Sequence, residues 1–220
     1  MADPSKKWIL NFHGIGECIR PFEPGEGKVW ISESKFFSIL DRVSDFPDIE
    51  ITFDDGNSSD ALIALPALTK RNLKASFFVP VGKISQKGFM CEEQICGLHS
   101  QGMKIGSHGW SHQSWRGLSK AEAQRELVDS RKVLESLLGT EVHAAACPFG
   151  DYDRMVFKRV RSAGYTCAYT SDRGFSPHNN FLRARNTVIS SASVDDVFSE
   201  RADCRFSLID MARRIVKRIR

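Results

Sequence analysis

Two short segments carry residues whose types and spacing could do chemistry. Asp54 and Asp55 stand side by side in Thr52-Phe53-Asp54-Asp55-Gly56, and His108 and His112 are separated by three residues in His108-Gly109-Trp110-Ser111-His112. Two imidazoles at that spacing can face one cation from a helix or from a tight loop. Gly106 and Gly109 break helical continuity here, so a loop is expected. Two neutral imidazoles and one carboxylate leave a divalent ion with an open position, the pattern of a catalytic site and not of a closed structural one. Water in that position falls in pKa from about 16 to about 7 and becomes a nucleophile near neutrality. A second carboxylate beside it can take the proton, because a base fully engaged by the cation is a poor acceptor. Taken alone, Asp-Asp-Gly also reads as an Asx turn capping the next helix.

These segments need elements to bring them together. Strand-type runs at 8–13, 49–53, 74–80, 103–107, 142–147, 165–170 and 185–189 alternate with stretches of helical spacing, which argues for parallel βα units. The clearest helix runs from Ser119 to Leu138: Ser119 and Glu122 have capping-box spacing, Ala123, Leu127, Leu134 and Leu138 line one face, and Gly139 ends it. Further helices are expected over Glu33 to Val43 behind a Ser32 cap, Asp60 to Arg71, Cys91 to Gln101, Arg154 to Ala163, and from Ser207 onward. An open doubly wound sheet fits this alternation as well as a barrel does. The segments at 52–56, 106–112 and 146–150 all follow strands, and parallel α/β folds collect strand carboxyl ends on one face.

The chain as a whole narrows the classes. Its 220 residues suit one domain, and 41% hydrophobic with 26% charged residues is ordinary for a globular protein. No apolar run approaches the roughly 20 residues a spanning helix needs, and the N-terminus lacks a signal-peptide core, so a cytoplasmic address is expected. Six scattered cysteines, without zinc-ribbon or redox spacing, read as reduced core residues. The sequence pI is near 8.8, yet residues 205–220 alone carry a net charge of +5 against +4 for the whole chain. A body so close to neutral argues against nucleic acid as a partner. Residues 1–204 are therefore taken as the domain and 205–220 as a basic amphipathic helix, which would either cover the barrel or touch an anionic membrane surface peripherally.

The ordered motifs resemble the polysaccharide deacetylase family, also called the NodB-homology or carbohydrate esterase 4 family. The resemblance spans roughly residues 8–189. It implies an α/β fold, a distorted seven-stranded (β/α) barrel in a single domain. It makes Asp54 the catalytic base and Asp55, His108 and His112 the ligands of a divalent metal: zinc first, with cobalt, nickel or manganese as alternatives. Cys147-Pro148-Phe149-Gly150 resembles the end of the third family motif, which lines the substrate groove, with the Phe149 N–H as oxyanion donor. The implied activity is removal of an N-acetyl group from an amino sugar in a polysaccharide, oligosaccharide or lipid-linked glycan. The alternatives are a related C–N or ester hydrolase, or a member that binds carbohydrate with impaired catalysis.

Four positions depart from the family pattern. Gly109 stands where Ser or Thr is usual, and Ala146 stands where an arginine usually steers the base, leaving Arg183 or Arg185 as candidate substitutes. The late general-acid histidine is missing around Val188-Ile189-Ser190-Ser191, so the acid falls to His178, to His13 or to the proton returned by Asp54. The usual tryptophan motif is not recognisable, and Trp110 is the candidate sugar-stacking residue, beside Trp115 and beside a plain packing role.

Overall fold

The computed structural model describes residues 6–177 and 179–203. Six strands run parallel and pair in chain order: β1 (Lys6–Phe12), β2 (Ile49–Phe53), β3 (Ala75–Val79), β4 (Lys104–Ser107), β5 (Ala144–Ala146) and β6 (Cys167–Thr170). β7 (Phe175–Pro177) lies antiparallel to the first half of β1. The chain then pairs with both edges of the sheet in succession. β8 (Leu182–Ala184) continues from β6, and β9 (Asn186–Thr187) pairs with Leu10 and Asn11 of β1. Together they form the seventh parallel position of a nearly closed barrel, broken at Arg185.

The helices are α1 (Glu33–Val43), α2 (Leu65–Lys70), α3 (Glu92–Ser100), α4 (Lys120–Ala123), α5 (Ser130–Leu138), α6 (Arg154–Ser162) and α7 (Val194–Asp203). Their starts follow local hydrogen bonding: Ser32 Oγ accepts from Lys35 N–H, Ser119 and Glu122 make the reciprocal capping box, and Asp153 accepts from Val156 N–H. Gly139 closes α5 in the left-handed conformation. The run from 120 to 138 is continuous but contains a π segment, Gln124–Asp129, and buries Glu126, Leu127, Ser130 and Leu134. A second π segment, Asp60–Ala64, leads into α2.

Three elements were absent from the sequence-based expectation: β7, α7 and β8, which precedes the run expected at 185–189. α7 begins at Ser193, whose hydroxyl accepts from Asp196 N–H while the Asp196 carboxylate accepts from Ser193 N–H. β7 is three residues long, too short for a period-2 pattern to show. The helix expected from Ser207 and the whole 205–220 segment lie outside the described residues. Among the described residues no helix is long and apolar enough to cross a membrane.

The main core fills the space between strands and helices. Phe53 stacks on Phe77 at 4.6 Å and on Phe12 at 5.3 Å, with Phe36 of α1 edge-on. The opposite faces of the strands make a smaller cluster of Ile9, Phe78, Ala146 and Tyr169. Period-2 alternation puts Asn11 on the same face as Ile9, and Thr52 pairs with Asn11 across β1 and β2. A polar group thus sits on a thin apolar floor at the carboxyl ends of the strands.

Phe53 is fully buried and immediately precedes the acidic pair. Phe53→Ala is expected to cost about 3–5 kcal/mol of unfolding free energy, measured by urea denaturation; a change below about 1 kcal/mol would contradict the role given to this ring stack.

Candidate active site

The strand ends open into a cavity of about 330 Å³, lined by His13, Asp54, Asp55, His108, His112 and Phe149, with Glu23 and Glu26 of the β1–α1 loop on another wall. Strand alternation would send Asp54 and Asp55 to opposite faces. Asp55 instead has φ 75° and Gly56 φ 66°, and this left-handed turn brings both carboxylates to one cavity. His112 and Phe149 are also left-handed, with φ 54° and 58°. Backbone strain of this kind persists only where surrounding contacts enforce it.

Asp55, His108 and His112 offer three ligand atoms that all lie within 4.8 Å of one another. Asp55 Oδ1 is 3.4 Å from His108 Nε2 and 3.1 Å from His112 Nε2, and it is buried without a hydrogen-bond partner. His108 Nδ1 lies 2.8 Å from the Ala146 carbonyl oxygen. Only a protonated Nδ1 makes that contact favourable, which leaves Nε2 with its lone pair toward Asp55. The cluster draws positive charge. Burial pushes the Asp55 carboxyl up, but the facing imidazoles hold it well below the usual carboxylate range. Burial pushes His112 down, but the facing Asp55 carboxylate raises it above the ordinary histidine value. A divalent cation would satisfy the same attraction in place of a proton, so these donors fit a metal.

Asp54 has a different environment. Arg185, fully buried at the break between β8 and β9, holds it with two parallel bonds: Nη1 to Oδ1 at 2.6 Å and Nη2 to Oδ2 at 2.7 Å. The Asn11 amide donates to Asp54 Oδ2 at 3.0 Å, while its own oxygen accepts from Arg185 (2.9 Å) and from the Thr52 hydroxyl (2.8 Å). Burial pushes the Asp54 carboxyl up, but the charge and hydrogen bonds of Arg185 bring it below its ordinary value. The guanidinium also lies over Phe78 and Tyr169, two members of the cluster that contains Ala146. The small Ala146 side chain and the arginine from position 185 therefore share one region. Arg183 points elsewhere, to the Tyr169 hydroxyl and Glu50.

The histidine loop is held from behind by Glu126, a fully buried side chain that the sequence analysis passed over. Its carboxylate accepts from the backbone N–H of Trp110 (2.7 Å) and Ser111 (3.1 Å) and from the Gln113 amide (3.0 Å). Gly109 has φ 83°, and a Cβ there would stand 2.5 Å from Glu126 Oε2. The loop therefore excludes the Ser or Thr otherwise expected at that position. Asn11 was also passed over. A polar residue inside an apolar strand run was the only indication of it.

The remaining candidates are dispersed. Phe149 is on the cavity wall, two-thirds exposed, its ring 4.7 Å from that of His112. Pro148 and Gly150 are buried in the turn behind it, where the Gly150 N–H donates to the Cys147 carbonyl. Trp110 does not line the cavity; it is half-buried under the Arg125 guanidinium. His13 lines the cavity with its Nδ1 buried and unpartnered. His178 lies outside the described residues.

A family model described as polysaccharide deacetylase matches residues 42–168. The protein YxkH of Bacillus subtilis (strain 168) is 26% identical over 199 residues, covering 84% of this chain and 71% of that protein. Peptidoglycan-N-acetylglucosamine deacetylase PgdA of Listeria monocytogenes is 26% identical over 113 residues, or 51% of this chain and 23% of its own length. Chitin deacetylase 1 of Cryptococcus neoformans is 28% identical over 116 residues, or 53% and 24%. The chain thus spans about a quarter of these last two relatives. Among solved structures, the deacetylase PplD of Streptococcus pyogenes in complex with acetate has a TM-score of 0.78 at 21% identity, covering 90% of this chain and 98% of that one. IcaB of Ammonifex degensii has a TM-score of 0.71 at 22% identity, covering 89% and 96%. Both share the fold.

Two stability predictions follow from the buried charges. Arg185→Met leaves Asp54 without its cation and is expected to cost about 3–5 kcal/mol at pH 7; chemical denaturation yielding less than about 1 kcal/mol would show that the pair does not hold the seam. Asp60 is fully buried with both carboxylate oxygens unpartnered, and burial, then Asp55 and Asp54, push it well above the ordinary value of 3.8. A carboxyl raised on folding contributes stability that is complete below pH 3.8 and is lost as pH rises through the folded value. Asp60→Asn is therefore expected to melt higher than wild type at pH 7 and to lose that advantage below pH 4. Melting curves that stay parallel across this range would refute the assignment.

Proposed function

We propose that this chain, which belongs to the polysaccharide deacetylase family, hydrolyses the N-acetyl group of an amino sugar within a glycan. The observation that carries the reading is the division of labour between adjacent aspartates: Asp55 faces two imidazoles, and Asp54 is held apart from them by Arg185 and Asn11. A site that only bound a metal or a sugar would have no use for a second carboxylate kept ionised beside the first. The family relatives named for chitin and peptidoglycan N-acetylglucosamine support the choice of bond, as does the PplD structure, which holds acetate, the acid this hydrolysis releases.

Asp55, His108 and His112 would hold the metal, and the donor set suits Zn²⁺, with Co²⁺, Ni²⁺ or Mn²⁺ as substitutes. A divalent ion there supplies a Lewis acid for the acetyl oxygen and acidifies water in its open position. Asp54 accepts the proton of the attacking water as its oxygen bonds to the acetyl carbon. The two bonds from Arg185 fix the carboxylate plane during that transfer. The Phe149 N–H, set by the left-handed turn at residues 147–150, donates to the oxyanion, a contact worth about 2.7–4 kcal/mol in comparable hydrolases. Breaking the C–N bond requires a proton on the nitrogen. His13 is the cavity imidazole outside the metal cluster, and β1–β2 pairing sets it beside Asp54. Burial lowers its pKa, so it rests neutral and relays to the amine the proton that Asp54 has taken, without storing it. The products are acetate and a free amino sugar.

Acetate release from N-acetylglucosamine oligosaccharides and peptidoglycan fragments tests this reading, with O-acetylated xylan as the ester control. Metal-loaded wild type is expected to release acetate from the amides. Asp54→Asn should lower kcat by about 10²–10⁴-fold, and His13→Ala should do so within the same range with little change in KM. No release from any N-acetylated glycan would sink the proposal, and release from the ester alone would move the activity to another bond.

A further inference from the structure

Each metal-facing imidazole has a second nitrogen, and the structure puts an oxygen opposite both. For His108 it is the Ala146 carbonyl. For His112 it is a side chain from a distant part of the chain: Glu23 Oε2 stands 3.4 Å from His112 Nδ1, a buried atom that makes no hydrogen bond elsewhere and has this carboxylate as its facing charge. Glu23 belongs to the loop between β1 and α1, which no family motif covers.

That loop is built to hold Glu23 in place. Glu23 N–H donates to Glu26 Oε2 at 2.8 Å, and Glu26 is buried and held by Arg20, whose Nη1 donates to the same oxygen at 2.8 Å. Arg20 is further tied to Asn57 Oδ1 at 2.7 Å and lies over the Phe89 ring at 4.3 Å. The other Glu23 oxygen, Oε1, is paired with Lys83 Nζ. One carboxylate oxygen is thus fixed by a lysine and the other is left for the imidazole.

Resting on the metal-site reading above, we infer that Glu23 is a positioning residue of the metal centre. Its carboxylate accepts the Nδ1 proton of His112, which fixes the tautomer that presents the Nε2 lone pair toward Asp55 and makes that nitrogen a better donor. Metal affinity thereby depends on the β1–α1 loop, and the wall of the substrate cavity and the ligand geometry are set by one contact.

The test measures Zn²⁺ affinity by competition with a chromophoric chelator, and the d–d spectrum of the Co²⁺ form, for wild type, Glu23→Ala and Glu23→Asp, with melting of the metal-free proteins alongside. Outer carboxylate partners of metal-bound histidines typically govern 10–100-fold in affinity. Glu23→Ala is expected to lose that much and to shift the Co²⁺ bands, Glu23→Asp to recover part of both, and the metal-free melting temperatures to stay together. Wild type and Glu23→Ala with Zn²⁺ affinities within twofold would overturn the inference while leaving the metal site intact. A wild type that binds no divalent ion would overturn the metal-site reading and this inference with it.

Discussion

A carboxylate taken out of water must be paired, protonated or coordinated, and the ends of this barrel set three buried aspartates, Asp54, Asp55 and Asp60, within one small region. Asp54 is paired: its two oxygens meet the two terminal nitrogens of Arg185, with no exposed surface on the arginine. That contact joins β2 to the break between β8 and β9, where the chain stops pairing with β6 and starts pairing with β1. The seam of the barrel and the orientation of the Asp54 carboxylate therefore meet in the same ion pair. Such a pair need not add net stability, since desolvation offsets much of its attraction. Its value is positional, because the bidentate geometry permits one carboxylate plane.

The other acids divide in the same way. Glu26 is answered by Arg20 and Glu23 by Lys83, while Asp60, with no cation, sits in the protonated direction. Asp55 is left facing only imidazoles. Because every other anion near the cavity already has its compensation, the unmet demand for positive charge falls at one point, between Asp55, His108 and His112. At that point three ligand atoms converge in a geometry that could hold a metal ion.

Much of this was legible from sequence where local rules act. The acid pair, the histidine spacing, the Ser32 and Ser119 caps and the six main strands each follow from patterns spanning fewer than about twenty residues. The rest depends on contacts between residues far apart in the chain. Arg183 and Arg185 were both candidates to steer the base, and they differ only in where the strand breaks, which no periodicity reveals. Arg185 lies at the step between β8 and β9, where its N–H bonds to the Thr170 carbonyl and its carbonyl accepts from Arg173 N–H, and its side chain is fully buried; Arg183, inside β8, goes to Tyr169 and Glu50. Glu126 was hidden for a different reason: a charged residue in a helical stretch reads as solvent-facing, and its partners are backbone amides of the histidine loop, which helical spacing does not display.

The departures from the family pattern become intelligible as compensated changes in space. Ala146 gives up a side chain on the floor of the barrel, and Arg185 places a guanidinium over the same rings from the opposite seam. Gly109 gives up a hydroxyl, and the space a Cβ would need is taken by the Glu126 carboxylate that ties down the following two backbone amides. In the first case the acid pair needs a positive charge at a given place, and the fold does not specify which strand supplies it. A motif written as consecutive letters records one way of meeting that requirement. The physical constraint is the position of the charge, and a chain can satisfy it from 39 residues further along, as Arg185 does for position 146.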